Sequence, residues 1–283
     1  MKKRNVCGGK AKRSVSVSDA KIKEKWKMHL PDSFKGKSKV RFLPTKYGKL
    51  KILYNAKRAK TVKYVSSGCP FSSFRFRGKF PLGDYNIVAN IYPFAKKHRL
   101  VVTKRHYPKP KLRDLKFVER LSRIIPETII LSLRGSGAGV PQHLHFQTFM
   151  EVMPISRAKG KRIFSNKGVV VERVNFPAYC IKLSGKNISK WLFRVLNKMN
   201  YPYNLLFRGG SVSIFPRTTI YPIKNSTWKF GATELGGLFV LRDKKCFDSI
   251  NEKQACLWLK KSTIPSKKKI NLFEKRVKLA LGV

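Results

Sequence analysis

Two stretches of helical period, set far apart in a chain otherwise made of short β-patterned runs, restrict the fold more than any other feature. In the first, Leu112, Leu115, Val118, Leu121, Ile124 and Ile125 recur on one helix face, and Pro126 stops the pattern. In the second, Ile188, Trp191, Leu192, Val195, Leu196 and Met199 do the same behind Asn187, a capping residue type. Around the first lie "KLKILYNA", "DYNIVANIYPF", "HRLVVTKRH", "ETIILSLRG" and "QHLHFQTFMEVMPI", and around the second "GVVVERV", "AYCIKLSG", "YNLLFR" and "SVSIFPRT". All have the alternation or the β-branched content of strands. This order predicts an α+β protein whose second half loosely repeats the first. The likeness of "DYNIVANIYPF…HRLVVTKR" to "PYNLLFRGGSVSIFPRT" suggests where the halves correspond.

A chain of 283 residues with 42% hydrophobic content can bury one large core or two modest ones. No apolar run approaches bilayer length, and the amino terminus lacks the apolar centre of a secretory signal. The five cysteines are scattered and never form a C-x-x-C pair, which fits reduced thiols. The expected location is therefore cytoplasmic, with no membrane partner. "FKGKS" near Gly36 is not a phosphate-binding loop, because Pro31 stands where the first glycine of that motif belongs.

The 63 Lys and Arg against 14 Asp and Glu give a formal net charge of +49, which must attract polyanions. The basic residues are spread over the whole chain, however, and a codon bias toward lysine would decorate a solvated surface in the same way. Charge alone leaves both readings open.

The chemistry concentrates in "GAGVPQHLHFQTF". On a strand, His143, His145 and Gln147 share one face while Leu144 and Phe146 turn to the core. The glycines before them, Gly135, Gly137 and Gly139, let a backbone turn approach an anion and aim its amides at it. An imidazole held in one tautomer is a competent nucleophile toward phosphorus near neutral pH, and a glutamine can steady a phosphoryl oxygen without moving a proton. On spacing alone, an H-x-H pair is more often a metal-ligand pair or an exposed accident than a nucleophile. Its nearest acidic residue is Glu151, and a zinc site needs more converging ligands than the spacing supplies, so no metal is expected.

These residues resemble the histidine triad superfamily, in its transferase branch: galactose-1-phosphate uridylyltransferases, diadenosine tetraphosphate phosphorylases and GDP-hexose phosphorylases. The likeness rests on "YNAKRA" (54 to 59), "CPFS" (69 to 72), "NIYPFAKKH" (90 to 98) and "HLHFQ" (143 to 147), in that order, and resumes in "YNLLFRGGSVSIFPR" and "FGATELGGLFV". It implies two histidine-triad-like halves, each an antiparallel sheet flanked by helices, only the first carrying the H-x-H-x-Q motif. The corresponding segments are a basic amino-terminal arm or peripheral layer (1–45), a catalytic half (46–160), a degenerate second half (161–245) and a basic helical end (246–283).

The resemblance further implies that His145 is the nucleophile of a covalent nucleotidyl-histidine, supported by His143, and that Gln147 contacts the transferred phosphate. Asn90 falls where relatives contact the ribose. Ser132 and the turn from Gly135 to Gly139 fall where they bind phosphates, with Arg58 a phosphate contact and Glu234 a polar member of the second half. The implied partners are a nucleotide substrate and inorganic phosphate or a sugar phosphate, without a cofactor. Two positions depart from the pattern. Val140 replaces a phosphate-binding serine for which Ser136 could substitute, and "CPFS" lacks the second cysteine of relatives that hold structural zinc. A second reading keeps the scaffold without catalysis, as a basic RNA- or DNA-binding protein using aromatic residues such as Trp26, Phe74 and Phe76.

Overall fold

The computed structural model describes residues 18–27, 38–55, 69, 71, 79–224, 228–264 and 266–282. Within these, the β-patterned runs assemble into one ten-stranded sheet and one three-stranded sheet. In the large sheet, the first half of the chain supplies β3 (Phe80–Leu82), β4 (Tyr85–Ala89), β5 (Arg99–Thr103), β6 (Thr128–Ser132) and β7 (His145–Phe149). The second half supplies β8 (Gly160–Asn166), β9 (Val169–Val174), β10 (Ile181–Gly185), β11 (Tyr203–Arg208) and β12 (Ser211–Pro216). The order is β3-β4-β5-β7-β6-β11-β12-β10-β9-β8, and every pairing is antiparallel.

Read outward from the β6–β11 seam, the two halves are copies. Each has a three-stranded meander, then a helix, then a hairpin whose second strand sits inside the sheet. The helix of the first half is α2 (Leu112–Ile124) and that of the second is α3 (Ile188–Lys198), following α1 (Asp19–Lys27) in the chain. The repeat suggested by sequence is therefore out of register. β4 and β5 correspond to β9 and β10, whereas "YNLLFRGGSVSIFPR" forms β11 and β12, the counterparts of β6 and β7. Two hairpins of similar composition look alike wherever they lie, and only the strand order separates them. β12, "SVSIFP", occupies the place of β7 and carries no histidine.

Both helical faces pack on one side of the sheet. Leu115, Val118 and Leu121 of α2 and Ile188, Leu192 and Val195 of α3 join Ile87, Val101, Phe146, Leu205 and Ile214 in one core. Glu119 links the two helices by accepting from the Ser189 N–H in the first turn of α3 (2.8 Å) and from Arg123 Nη2 (2.9 Å). Asp114, fully buried, accepts from Tyr85 Oη (2.7 Å), Tyr107 Oη (2.8 Å) and the Lys111 N–H (2.7 Å), which ties the start of α2 to β4 and to the loop after β5. Burial first, then Asp114, keeps both tyrosines protonated as donors, with Tyr107 pushed up to about 12.

The opposite face is covered by the small sheet and further helices. β1 (Lys39–Thr45) pairs antiparallel with β2 (Gly48–Tyr54), and β13 (Leu238–Leu241) adds in parallel to β2. With α4 (Ala232–Leu235), α5 (Lys244–Ser249) and α6 (Glu252–Ser262), they bury Ile52, Leu235, Phe239 and Leu259 against Ile130, Phe149, Leu206 and Phe215 of the large sheet. A last helix, α7 (Lys267–Ala280), places Phe273 and Val277 in the first core. No helix among the described residues is long and apolar enough to cross a membrane.

Candidate active site

β7 lies between β5 and β6, with His145 opposite Val102 and Gln147 opposite both Leu100 and Ile130. Leu144 and Phe146 are buried in the helical core, so the alternation expected from sequence sends His145 and Gln147 to the other face. The strand begins only at His145. His143 belongs to the turn before it, so the row of three side chains expected on one strand is reduced to two.

His143 serves His145 through its backbone. Its carbonyl lies 2.9 Å from His145 Nδ1, so that nitrogen carries the hydrogen and Nε2 is left with its lone pair. Burial lowers the His145 pKa and keeps the ring neutral and nucleophilic near pH 7. The His143 ring is fixed separately, with Nε2 donating to the Thr103 carbonyl (2.8 Å) and Nδ1 3.2 Å from Cys69 Sγ. Phe71 packs against both imidazoles, with ring centroids 5.3 and 5.0 Å away.

The other wall of the site comes from β6 and the second half. Ser132 stands opposite Asn204 of β11, and its Oγ accepts from Asn204 Nδ2 (2.8 Å) and from the Ala232 N–H (3.4 Å). With both contacts arriving at the oxygen, the Ser132 hydroxyl hydrogen is free to donate to a ligand. Ser136 is placed differently. It is fully buried, and its hydroxyl bonds Leu133 N (2.5 Å) and Leu133 O (2.9 Å), so it holds the turn together from within.

Gly135 and Gly137 have φ of +77° and +89°, while Gly139 has no left-handed backbone. A Cβ on Gly137 would lie 2.7 Å from the Phe230 carbonyl oxygen, so the close approach made by this turn is to the backbone of the second half. Glu234 lies in that same segment, its Oε2 accepting from Gly231 N–H (2.8 Å) and Thr233 Oγ1 (2.9 Å). Val140 packs with Phe71, Val88, Leu100 and Val102 as an apolar flank beside the histidines.

Two groups were not assigned from sequence. His98, which ends the "NIYPFAKKH" run, is 2% exposed and lies with Nε2 3.0 Å from Gln147 Oε1 and 2.9 Å from Asn90 Nδ2, while its Nδ1 accepts from the Phe94 N–H (3.3 Å). Asn90 turns its Oδ1 to the Tyr92 N–H (2.9 Å), so its side chain is placed in this loop. The signal for His98 was its antiparallel position, since the Asn90 N–H bonds the His98 carbonyl across the hairpin.

The second group is Cys69, His106 and His143, whose ligand atoms all lie within 4.8 Å of one another. One thiol and two imidazoles suit a zinc ion, and His143, with Nε2 spent on Thr103, presents Nδ1 to it. The donor set fits, against the expectation that the spacing supplies no converging ligands; the turn before β7 and the loop after β5 bring together residues far apart in sequence.

Arg58, Phe74 and Phe76 lie outside the described residues. Trp26 is a core residue rather than a stacking platform: it is buried, donates through Nε1 to Glu127 Oε1 (3.0 Å) and lies under the Arg99 guanidinium.

Comparison with known proteins agrees with this architecture. Residues 75–150 match a domain of unknown function, DUF4922, and residues 154–275 match the GDPGP1-like C-terminal domain. The structure of yeast Ap4A phosphorylase Apa2 in complex with Ap4A is similar over 86% of this chain and 94% of that chain, with a TM-score of 0.61 and 13% identity. The same enzyme in complex with AMP is similar over 81% of this chain and 89% of that chain, with a TM-score of 0.58 and 13% identity. No curated protein matches the sequence. The chain therefore has the fold of the yeast Ap4A phosphorylase structures, and the two matched domains follow one another along it.

Proposed function

We propose that the protein is a nucleotidyltransferase of phosphorylase or hexose-1-phosphate nucleotidyltransferase type, working by double displacement on a nucleoside-diphosphate sugar or a dinucleoside polyphosphate. The observation that carries this reading is the bond from His145 Nδ1 to the His143 carbonyl, which directs the lone pair of a buried neutral imidazole outward from the opposite nitrogen. Nε2 attacks the α-phosphorus, a P–N bond forms, and the P–O bond to the leaving phosphate breaks with its electron pair going to that oxygen. An oxygen of inorganic phosphate or a sugar phosphate then attacks the same phosphorus, and the P–N electrons return to Nε2. Two easier displacements replace one difficult step.

The Ser132 hydroxyl and the Gln147 carboxamide are neutral donors suited to the non-bridging oxygens, and neither alters the proton balance. The ligands named for the yeast structures, AMP and Ap4A, support a nucleotide as substrate. A zinc ion held by Cys69, His106 and His143 would supply structural rigidity behind the nucleophile.

The test is to incubate the protein with α-labelled UDP-sugar, GDP-sugar and adenosine polyphosphates and to look for acid-labile label on His145. The expected result is one labelled peptide containing His145 with at least one substrate. Folded protein that acquires no label from any of them, or acquires it elsewhere, overturns the reading.

A further inference from the structure

Lys161 of β8 and Arg173 of β9 stand directly opposite each other, two cations at one cross-strand position. Like charges placed so are destabilising. Lys159 and Asn175 extend the group, because the Asn175 N–H bonds the Lys159 carbonyl (2.8 Å) and alternate residues of a strand share a face. Glu274 of α7 offsets only Arg173, accepting from its Nε and Nη2 at 2.7 Å each and also from Tyr179 Oη (3.0 Å). That fork holds the guanidinium in place and leaves Nη1 and the second hydrogen of Nη2 unspent, on a side chain that is 46% exposed. Glu172, on the other face of β9, is paired with Lys182 (3.8 Å). Lys159, Lys161 and Lys260 have no ion pair among the described residues.

These four cations line a cavity of about 800 Å³, a volume within the range of small-molecule sites. Its apolar part comes from Phe176, Pro177 and Ile264, all buried, and from the half-buried ring of Tyr47 in the turn between β1 and β2. A chain of net charge +49 puts lysine on every surface. What sets this place apart is the opposed pair, the held guanidinium and the concave apolar wall beside them. The cavity is distinct from the candidate active site. β9 lies five positions from β7 in the large sheet, roughly 24 Å at the usual strand spacing, and Arg173 turns to the α7 side while His145 turns to the other face.

We propose that this cavity is a second, non-catalytic ligand site that takes a nucleoside phosphate, its phosphoryl oxygens between Lys161 and Arg173 and its base against Tyr47 and Pro177. Several cations around one point call for more than one negative oxygen, and the wall beside them calls for a flat, weakly polar body; a nucleotide has both. The proposal needs no chemistry at His145, so it stands or falls apart from the transferase reading.

The probe is 8-azido-ATP, photo-crosslinked to the full-length protein and mapped by mass spectrometry. Label is expected on peptides containing Tyr47 or Asn175 to Tyr179. Lys159→Glu, Lys161→Glu and Lys260→Glu together are expected to lower that label about tenfold or more. Lys116→Glu, Lys198→Glu and Lys245→Glu together, an equal change of net charge at exposed positions elsewhere, are expected to retain it. Unlabelled ATP should compete about tenfold or more better than inorganic triphosphate, which has nothing to place on the apolar wall. Label confined to the β4–β5 loop and β7, equal loss in both triple variants, or equal competition by triphosphate would each overturn the proposal. Lys161→Glu alone turns the opposed pair into one of opposite charge, and should raise the melting temperature of ligand-free protein by about 1–3 °C. No rise would mean that the pair holds no repulsion for a ligand to relieve, and would count against the site.

Discussion

His145 and His143 are joined by a hydrogen bond from the ring of one to the backbone of the other, Nδ1 to carbonyl oxygen, across 2.9 Å. The two histidines of the motif are thus unequal, since the His145 ring keeps a lone pair on Nε2 while Nε2 of His143 is spent on the Thr103 carbonyl. His145→Ala is expected to abolish covalent labelling and lower turnover by about a thousandfold or more. His143→Ala retains the carbonyl and is expected to leave measurable labelling. Mass spectrometry of quenched, α-labelled protein distinguishes them.

Gln147→Ala removes a neutral donor and no proton-transfer group. The expected loss is about a hundredfold in the rate of adduct formation, the scale of one donor to a charge developing in the transition state. Rapid-quench measurement on folded protein would read it, and an unchanged rate would remove Gln147 from the site.

Purified protein is expected to hold about one zinc per chain if Cys69, His106 and His143 act together, as their 4.8 Å cluster allows. Cys69→Ala should lower the zinc content measured by elemental analysis, and chelation of the wild type should lower its melting temperature. Metal-free protein with unchanged melting behaviour counts against a role for the ion.

Asp114 receives three hydrogen bonds in complete burial. Asp114→Ala strands two tyrosine hydroxyls and the Lys111 N–H, and is expected to cost about 3 kcal/mol or more in chemical denaturation. The Tyr107 carbonyl also accepts from the Leu144 N–H (2.6 Å), so the same change should loosen the approach to β7 and slow labelling of His145.

The Glu119 carboxyl gives an acid-dependent stability. Burial raises its pKa, but the bonds from Ser189 and Arg123 outweigh burial and leave it below the usual carboxylate value. Because the folded pKa is depressed, the contribution is fully present above the unfolded value of about 4.3 and is lost as pH falls through the lower folded value. Glu119→Gln should therefore be less stable than the wild type at neutral pH, and the gap should close in acid. Denaturation curves across that range would settle it.

Much of this was legible in the chain. Val118 and Leu192 lie on stripes of helical period, and β7 alternates, because local burial imposes those periods directly. What could not be read were relations between distant segments. Cys69 lies 3.2 Å from His143 across 74 positions of chain, and no local pattern signals that contact. Val140 looked like a lost phosphate contact, yet it packs with Val88 and Leu100, partners whose nearness follows from strand order alone. Ser136 fits a phosphate-binding position by sequence, but its hydroxyl is spent on Leu133. The internal repeat was visible and its alignment was not, since composition cannot distinguish a meander hairpin from the one that closes the half-sheet.

The seam between β6 and β11 has a bearing on stoichiometry. A backbone that is double in its topology but carries a histidine on β7 and none on β12 offers one candidate reacting centre rather than two. Labelling should plateau at one nucleotidyl group per polypeptide with simple saturation, and a second equivalent, or a curve with two phases, would point to chemistry in the half from which the histidines are missing.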